Sequence, residues 1–301
     1  MQDARQKPLC IYHGNCQDGF AAAWVVNKAH QGEVELYPGV YQEAPPDVAG
    51  RDVVMVDFSY KRPVIEALAR QARTLLILDH HKSAAEDLAG FAVAPAADWR
   101  RYARRGNALV RFDMEKSGAG LAWDYFFPGQ LRPRLIDFVE DRDLWRFRLP
   151  HTKAVSANLF SYPYDLTLWD RLVAECERPV TLQQFVVAGE AIGRKATQDI
   201  DNLLPVVQRE FAVAGVVMPV ANLPLTLTSE AGQRMARASP GKIAACYWDT
   251  QEGRVFSLRS TEDGPDCQAL AVKMGGGGHA HAAGFRVPLG ATPDAPQEPM
   301  R

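Results

Sequence analysis

Residues 75 to 81 read Leu75-Leu76-Ile77-Leu78-Asp79-His80-His81. Four consecutive apolar residues predict a strand buried on both faces. It ends in a carboxylate and two imidazoles, groups that bind metal ions or carry protons. The carboxyl end of a buried strand is where open α/β sheets place their ligands. Two other apolar runs end in the same way. Pro8-Leu9-Cys10-Ile11-Tyr12 leads into His13, and Asp52-Val53-Val54-Met55-Val56 leads into Asp57.

These runs alternate with helical stretches. Phe20 to Val26 is apolar nearly all round, which predicts a helix buried against a sheet. Asp18 stands at its start, where a carboxylate caps amides and suits the helix dipole. A second helix is expected over Pro63 to Arg73, before the strand that carries Asp79. Strand, helix, strand, helix, strand at this spacing predicts βαβ units and a parallel sheet. Its right-handed crossovers bring all strand ends to one rim. His13, Asp57, Asp79, His80 and His81 should then share that rim.

Ser117 is placed to cap a helix beginning at Gly118. The segment Leu135-Ile136-Asp137-Phe138-Val139-Glu140-Asp141-Arg142-Asp143-Leu144-Trp145 is dense in acids. Asp137 and Glu140 read as a solvated helix face. Asp141 and Asp143 lie among apolar residues, where a carboxylate needs a cation or a hydrogen-bonding partner. Thr181 to Leu204 carries the longest helical periodicity, which Pro205 is expected to stop. Beyond it the pattern changes to strands at Val216 to Val220, Lys242 to Trp248 and Gly253 to Ser260, the last two forming a hairpin. A short helix over Cys267 to Met274 and a strand over Ala282 to Val287 follow, and the chain from Ala291 reads as a disordered tail.

In this second part, Gly275-Gly276-Gly277-Gly278-His279 sits between a helix and a strand, where a flexible linker has no place. Glycines let backbone amides approach a phosphate, and a neighbouring imidazole can donate to it. Ser257 and Arg259 alternate along one strand and so share a face, and Arg259 suits a bidentate phosphate contact. Tyr247, Trp248 and Phe256 could stack on a base or fill the core.

The chain has 301 residues, 47% hydrophobic and 23% charged, with a formal net charge of −2. That balance argues against broad, sequence-independent coating of DNA, which normally shows a basic surface, and leaves room for a small basic cleft for a short nucleotide. The five cysteines are odd in number and lack zinc-like pairing, so they suggest neither a disulfide framework nor a zinc site. The amino terminus lacks an apolar signal core and no stretch approaches membrane length, so the expected location is the cytoplasm.

Leu78-Asp79-His80-His81, Asp57, the loop from His13 to Asp18 and the run from Gly275 to Phe285 together resemble the DHH phosphoesterases. The resemblance is to the branch with the DHH-associated C-terminal domain, and it covers about residues 8 to 288. It implies a doubly wound parallel-sheet α/β domain over residues 1–180, with a connecting helix over 181–206. A smaller α/β domain over 207–290 and a tail over 291–301 complete the chain, and the active site would lie in the interdomain cleft. The implied activity is manganese-dependent cleavage of phosphoesters in small nucleotides: short oligonucleotides, linear or cyclic dinucleotides, or 3′-phosphonucleotides. Two Mn2+ ions are implied, with Mg2+ or Co2+ as substitutes. The partner would be a small nucleotide or short single strand, with no membrane and no extended duplex DNA, and a homodimer is compatible.

Carried onto this chain, the resemblance assigns metal binding to His13, Asp18, Asp57, His80 and Asp141, with Asp143 as second choice. Asp57 would bridge the metals, His81 would contact the phosphate or leaving group, and Asp79 would orient the imidazoles. Ser257, Arg259, Gly275, Gly276, Gly277, Gly278 and His279 would bind substrate. One departure matters: many members carry two aspartates in the first motif, whereas this chain has Asn15, Gln17 and only Asp18. The rival readings are an inorganic pyrophosphatase or exopolyphosphatase, and an inactive nucleotide-binding sensor.

Overall fold

A computed structural model describes residues 6–14, 16–41, 43–95, 99–104, 106–291 and 293–294. Asn15 and the parts of the termini read above at 1–5, 292 and 295–301 lie outside them. The chain divides into two units, Met1–Gly193 and Arg194–Arg301.

The first unit contains β1 (Leu9–His13), α1 (Gln17–Ala29), β2 (Glu35–Gly39), β3 (Asp52–Val56), α2 (Arg62–Gln71), β4 (Thr74–Asp79), α3 (Lys82–Asp87), β5 (Ala92–Val93) and β6 (Ala108–Phe112). Helices α4 (Gly118–Phe126), α5 (Arg134–Asp143), α6 (Thr152–Leu159) and α7 (Leu166–Cys176) follow. The six strands form one sheet in the order β2-β1-β3-β4-β6-β5, and every pairing is parallel.

Both faces of this sheet are covered. Cys10, Tyr12, Val54, Val56, Leu76 and Leu78 pack with α1 and α4 on one side. Leu9, Ile11, Val53, Met55, Leu75 and Ile77 pack with Ile65, Leu68 and Ala69 of α2 on the other. Period-two alternation therefore sends successive residues of each strand into different cores. Both sets are apolar because neither face meets water. This is a doubly wound parallel α/β sheet.

Helix α8 (Pro179–Val207) contains the division between the units. Its first half buries Phe185 and Val186 in the first unit, and its second half buries Ile200 and Leu204 in the second. Pro205 does not stop it as expected, for the helix runs on to Val207. A proline in the last turn removes one backbone bond without breaking the turns before it.

The second unit comprises β7 (Gln208–Val213), β8 (Val216–Asn222), α9 (Leu225–Ala238), β9 (Ile243–Thr250), β10 (Gly253–Ser260), α10 (Cys267–Lys273), β11 (Gly277–His279) and β12 (Ala282–Val287). Its sheet runs β11-β12-β10-β9-β8-β7, antiparallel except for β8 with β9. The hairpin of β9 and β10 is as expected. The start of the tail is pinned where disorder was expected. Ala214 N–H donates to the Pro293 carbonyl at 2.9 Å, and Gly215 N–H to Asp294 Oδ1 at 2.8 Å. Among the described residues, no helix is long and apolar enough to cross a membrane.

Candidate metal centre

Parallel register sets the site. Tyr12 pairs with Val56, and Val56 with Leu78. The next residue along each chain is His13, Asp57 and Asp79, so the three stand abreast at the carboxyl rim. Strand order reverses here, with β1 followed by β2 on one side and β3 on the other. Doubly wound folds open their ligand crevice at such a switch point.

Asp57 is the hinge of the arrangement. Its φ is +54°, a left-handed conformation that aspartate tolerates better than most residues, and its amide donates to the Leu78 carbonyl at 3.0 Å. Its side chain is 1% exposed by residue and lies between two imidazoles. Oδ1 is 2.9 Å from His80 Nε2, and Oδ2 is 3.4 Å from His13 Nδ1. His80 Nε2 is also 3.6 Å from Asp18 Oδ2 and 3.6 Å from Asp143 Oδ2.

Asp18 does not cap its own helix. Its carboxylate accepts from Gly118 N–H at 2.5 Å and Ala119 N–H at 3.0 Å, the first amides of α4. A tertiary contact thus supplies the anion that a helix N-terminus favours. Gly118 is required by this approach, because an added Cβ would lie 2.4 Å from Asp57 Cβ and 2.9 Å from Asp18 Oδ2. Gly19 is required likewise, since its Cβ would lie 2.2 Å from the His13 carbonyl oxygen.

Asp79 organises the third strand end. Its Oδ1 accepts from His80 N–H at 2.7 Å, from His81 N–H at 3.2 Å, and pairs with His81 Nδ1 at 2.7 Å. It therefore orients the His81 ring directly and the His80 ring only through the backbone.

The acidic helix requires a correction. Asp141 is committed elsewhere: it accepts from Arg148 N–H at 2.8 Å, Leu149 N–H at 3.1 Å and the Thr152 hydroxyl at 2.5 Å. Those bonds fold the loop after α5, in which Trp145, Phe147 and His151 adopt positive φ. Asp143, two residues on, is the acid that reaches His80. Both met the requirement that a carboxylate among apolar residues be satisfied, and only the loop's path separates them. Glu140 is also not a solvated face residue, for it accepts from Ser117 N–H at 3.0 Å and Arg132 Nη1 at 3.0 Å. Asp137 is half-exposed as expected.

Three carboxylates and two imidazoles in one buried space perturb each other strongly. Burial, with the charges of Asp57 and Asp143, pushes Asp18 well above the ordinary carboxylate range. Burial, with the charge of Asp57, raises Asp143 as well. Burial would also raise Asp57, but His13 and His80 hold it well below that range. Burial opposes charge on His80, yet Asp57, Asp143 and Asp18 together push it up to about 10.

Asp57 Oδ2, Asp79 Oδ2 and Asp143 Oδ2 are buried without a hydrogen bond among the described residues. Leaving such atoms unsatisfied is costly, and a bound cation would satisfy them. Two triads, Asp18-Asp57-His80 and His13-Cys16-Asp57, each place their ligand atoms within 4.8 Å of one another. The donor set fits divalent metal. Cys16 was missed in the sequence because it has no cysteine partner.

In the second unit, Arg259 is half-buried on the β10 face covered by α9. It donates to Ser257 Oγ at 2.9 Å, the Leu258 carbonyl at 2.8 Å and Ser229 Oγ at 2.8 Å. Ser229 had no signal in the sequence. The glycine run is divided between a helix end and an edge strand. Gly275 N–H and Gly276 N–H donate to the Val272 and Ala271 carbonyls and close α10, while Gly277, Gly278 and His279 form β11 against β12. Gly276 is dictated by packing, since its Cβ would lie 2.0 Å from the Gly284 carbonyl oxygen. Tyr247 and Phe256 are core residues, and only Trp248 of the three aromatics is half-buried.

No family model matches the chain. An uncharacterised protein of Acanthamoeba polyphaga mimivirus is 28% identical over 309 residues, spanning 93% of this chain and 67% of its own length. A solved DHH domain, described as belonging to a member of a family of ribosomal proteins, is 11% identical. It aligns over 93% of this chain and 83% of its own with a TM-score of 0.53. A pGpG-specific phosphodiesterase from Vibrio cholerae aligns over 94% of both chains at 13% identity, with a TM-score of 0.47. RecJ from Thermus thermophilus in complex with Mn2+ aligns over 94% of this chain and 50% of its own at 14% identity, with a TM-score of 0.44. The likeness at 0.53 is one of fold, and with Asp79-His80-His81 at the end of its fourth strand this chain has the DHH-domain fold.

Proposed function

We propose that the protein is a metal-dependent phosphohydrolase of the DHH phosphoesterase family that acts on small nucleotide substrates. The observation that carries this reading is the buried Asp57 carboxylate. It presents one oxygen to His80 and the other, without a hydrogen bond, to His13. His13, Asp18, Asp57, His80 and Asp143 would hold the metal, with Asp57 shared between two ions. Bound there, divalent metal would supply water activation and charge neutralisation for displacement at phosphorus.

The chain's own residues supply the rest. Gly118 and Ala119 amides hold Asp18, Leu78 holds the turn at Asp57, and Asp79 fixes the His81 ring. With Nδ1–H donating to Asp79, neutral His81 has Nε2 as its acceptor, and as an imidazolium it donates from Nε2 to a phosphate oxygen or leaving group. In the second unit, Arg259 exchanges its serine hydroxyl partners for a phosphate, with His279 as a second donor. A charged partner makes a stronger bond to guanidinium than a hydroxyl does.

Cleavage of a panel of inorganic pyrophosphate, polyphosphate, 3′-phosphonucleotides, linear and cyclic dinucleotides and short oligonucleotides with added Mn2+ tests the reading. Turnover on a nucleotide member that disappears in Asp57→Ala is the expected result. Turnover that survives Asp57→Ala unchanged would overturn the bridging role. Of Tyr247, Trp248 and Phe256 only Trp248 is not buried, and this favours an inorganic phosphate chain as the second reading.

A further inference from the structure

Asp57 faces two sets of donors of different chemical character. On its Oδ1 side are His80 and Asp18, an imidazole and a carboxylate. On its Oδ2 side are His13 and Cys16, an imidazole and a thiol, with all three ligand atoms within 4.8 Å. Among the described residues Asp57 Oδ2 makes no hydrogen bond, although the residue is 1% exposed. Asp57 Oδ2 lies 3.4 Å from His13 Nδ1, in the triad whose third member is Cys16. Cys16 is held there by its place before α1, with extended backbone and its carbonyl accepting from Phe20 N–H at 3.0 Å.

We propose that Cys16 is a metal ligand, and that the centre is made of two unlike sites: a His13-Cys16-Asp57 site for a borderline cation such as Zn2+, Fe2+ or Co2+, and an oxygen-rich site of Asp18, Asp57, His80 and Asp143 for Mn2+ or Mg2+. The inference rests on the metal-dependent reading above and refines which metals it uses. A thiolate carries the same charge as a carboxylate, so Cys16 supplies the anion that the first motif lacks through having only Asp18. It changes the preference as well as the charge, because thiolate favours softer cations than carboxylate does. Binding releases the thiol proton, so each ion bound at this site exchanges for at least one proton.

The test uses the full chain, stripped with chelator, kept anaerobic and titrated with Co2+ in the absence of substrate. Thiolate ligation produces a sulfur-to-cobalt charge-transfer band in the near ultraviolet. Wild type should develop this band, and Cys16→Ser should lose it, with stoichiometry falling by about one ion per chain. Cys16→Asp should restore the stoichiometry without the band and shift the preference towards Mn2+. A second readout is alkylation by iodoacetamide. Cys10, Cys176, Cys246 and Cys267 are buried and Cys16 is not, so labelling should fall on Cys16 and be blocked by Zn2+ but not by Mg2+.

Cobalt bound without the band, or labelling unaffected by Zn2+, would overturn the role of Cys16 and leave the phosphohydrolase reading standing. Absence of any divalent ion binding would overturn both. A wild-type band that persists in Cys16→Ser would assign the sulfur elsewhere and also overturn the proposal.

Discussion

Two aspartates on one helix, two residues apart, divide structural and functional work. Asp141 satisfies two backbone amides and a hydroxyl, whereas Asp143 Oδ2 is buried without a hydrogen bond near His80. Asp141→Ala should therefore cost stability, about 2–4 kcal/mol, because it leaves buried donors unpaired. Asp143→Ala should leave the denaturation midpoint unchanged or raised, because it relieves repulsion from Asp18 and Asp57, and it should weaken Mn2+ binding. Urea unfolding and metal titration of both variants check this, and a reversed pattern would return the ligand role to Asp141. The sequence could not separate them. Both lie among apolar neighbours, and the choice depends on the left-handed turns at Trp145, Phe147 and His151 that carry the loop back over Asp141.

At the scale of elements, the rim is held by contacts between strand and helix starts. Gly118 begins α4 where Asp57 and Asp18 leave no room for a Cβ. Gly118→Ala should destabilise by roughly 1–3 kcal/mol, as overpacking does, and should weaken metal binding by displacing Asp57 from His80. Parallel measurement of stability and Mn2+ affinity checks it, and an Ala variant with native metal affinity would show that the Asp57 position is more tolerant.

The far ends of the same strands are held by charge. Asp52, at the start of β3, accepts from Arg73 Nε at 2.8 Å, Thr74 Oγ1 at 2.5 Å and Arg100 Nε at 3.1 Å. Burial alone would raise its pKa, but these donors lower it to about 2 from an ordinary 3.8. A depressed carboxylate contributes its stability fully above the unfolded value and loses it as pH falls towards the folded one. Stability should thus drop between about pH 4 and 2 by an amount that Asp52→Asn removes. Acid titration of the urea midpoint for both proteins would show it, and identical pH profiles would refute it.

At the scale of the whole molecule, the proposed reading gives chemistry and substrate holding to different units. Each metal ligand proposed belongs to the first unit, while Arg259 and His279 belong to the second. Arg259→Ala should lower kcat/KM for a dinucleotide about ten- to a hundred-fold, the equivalent of about 1.5–3 kcal/mol for a charge-assisted contact, with Mn2+ affinity intact. A small phosphodiester that does not reach Arg259 should lose much less. Equal losses on the two substrates would sink this division of labour and favour the inorganic phosphate reading.

Apolar runs that end in His13, Asp57 and Asp79-His80-His81 were enough to specify a parallel sheet with one reactive rim. Side-chain period and crossover handedness leave little else for such strands to do. Short or weakly patterned elements were not legible in that way: β5, β6, α6, α7, α9 and β11 depend on the partners they pack against. The same holds for the glycine run, where the Gly275 and Gly276 amides close α10 and the missing side chains of Gly276 and Gly278 admit β12. Asp18 as a cap for α4 and Asp143 in place of Asp141 were decided by tertiary structure alone. The first turns on an approach between residues distant in sequence and the second on a loop's left-handed path, whereas Cys16 lies only three residues beyond His13 and lacks a cysteine partner that would have drawn attention to it.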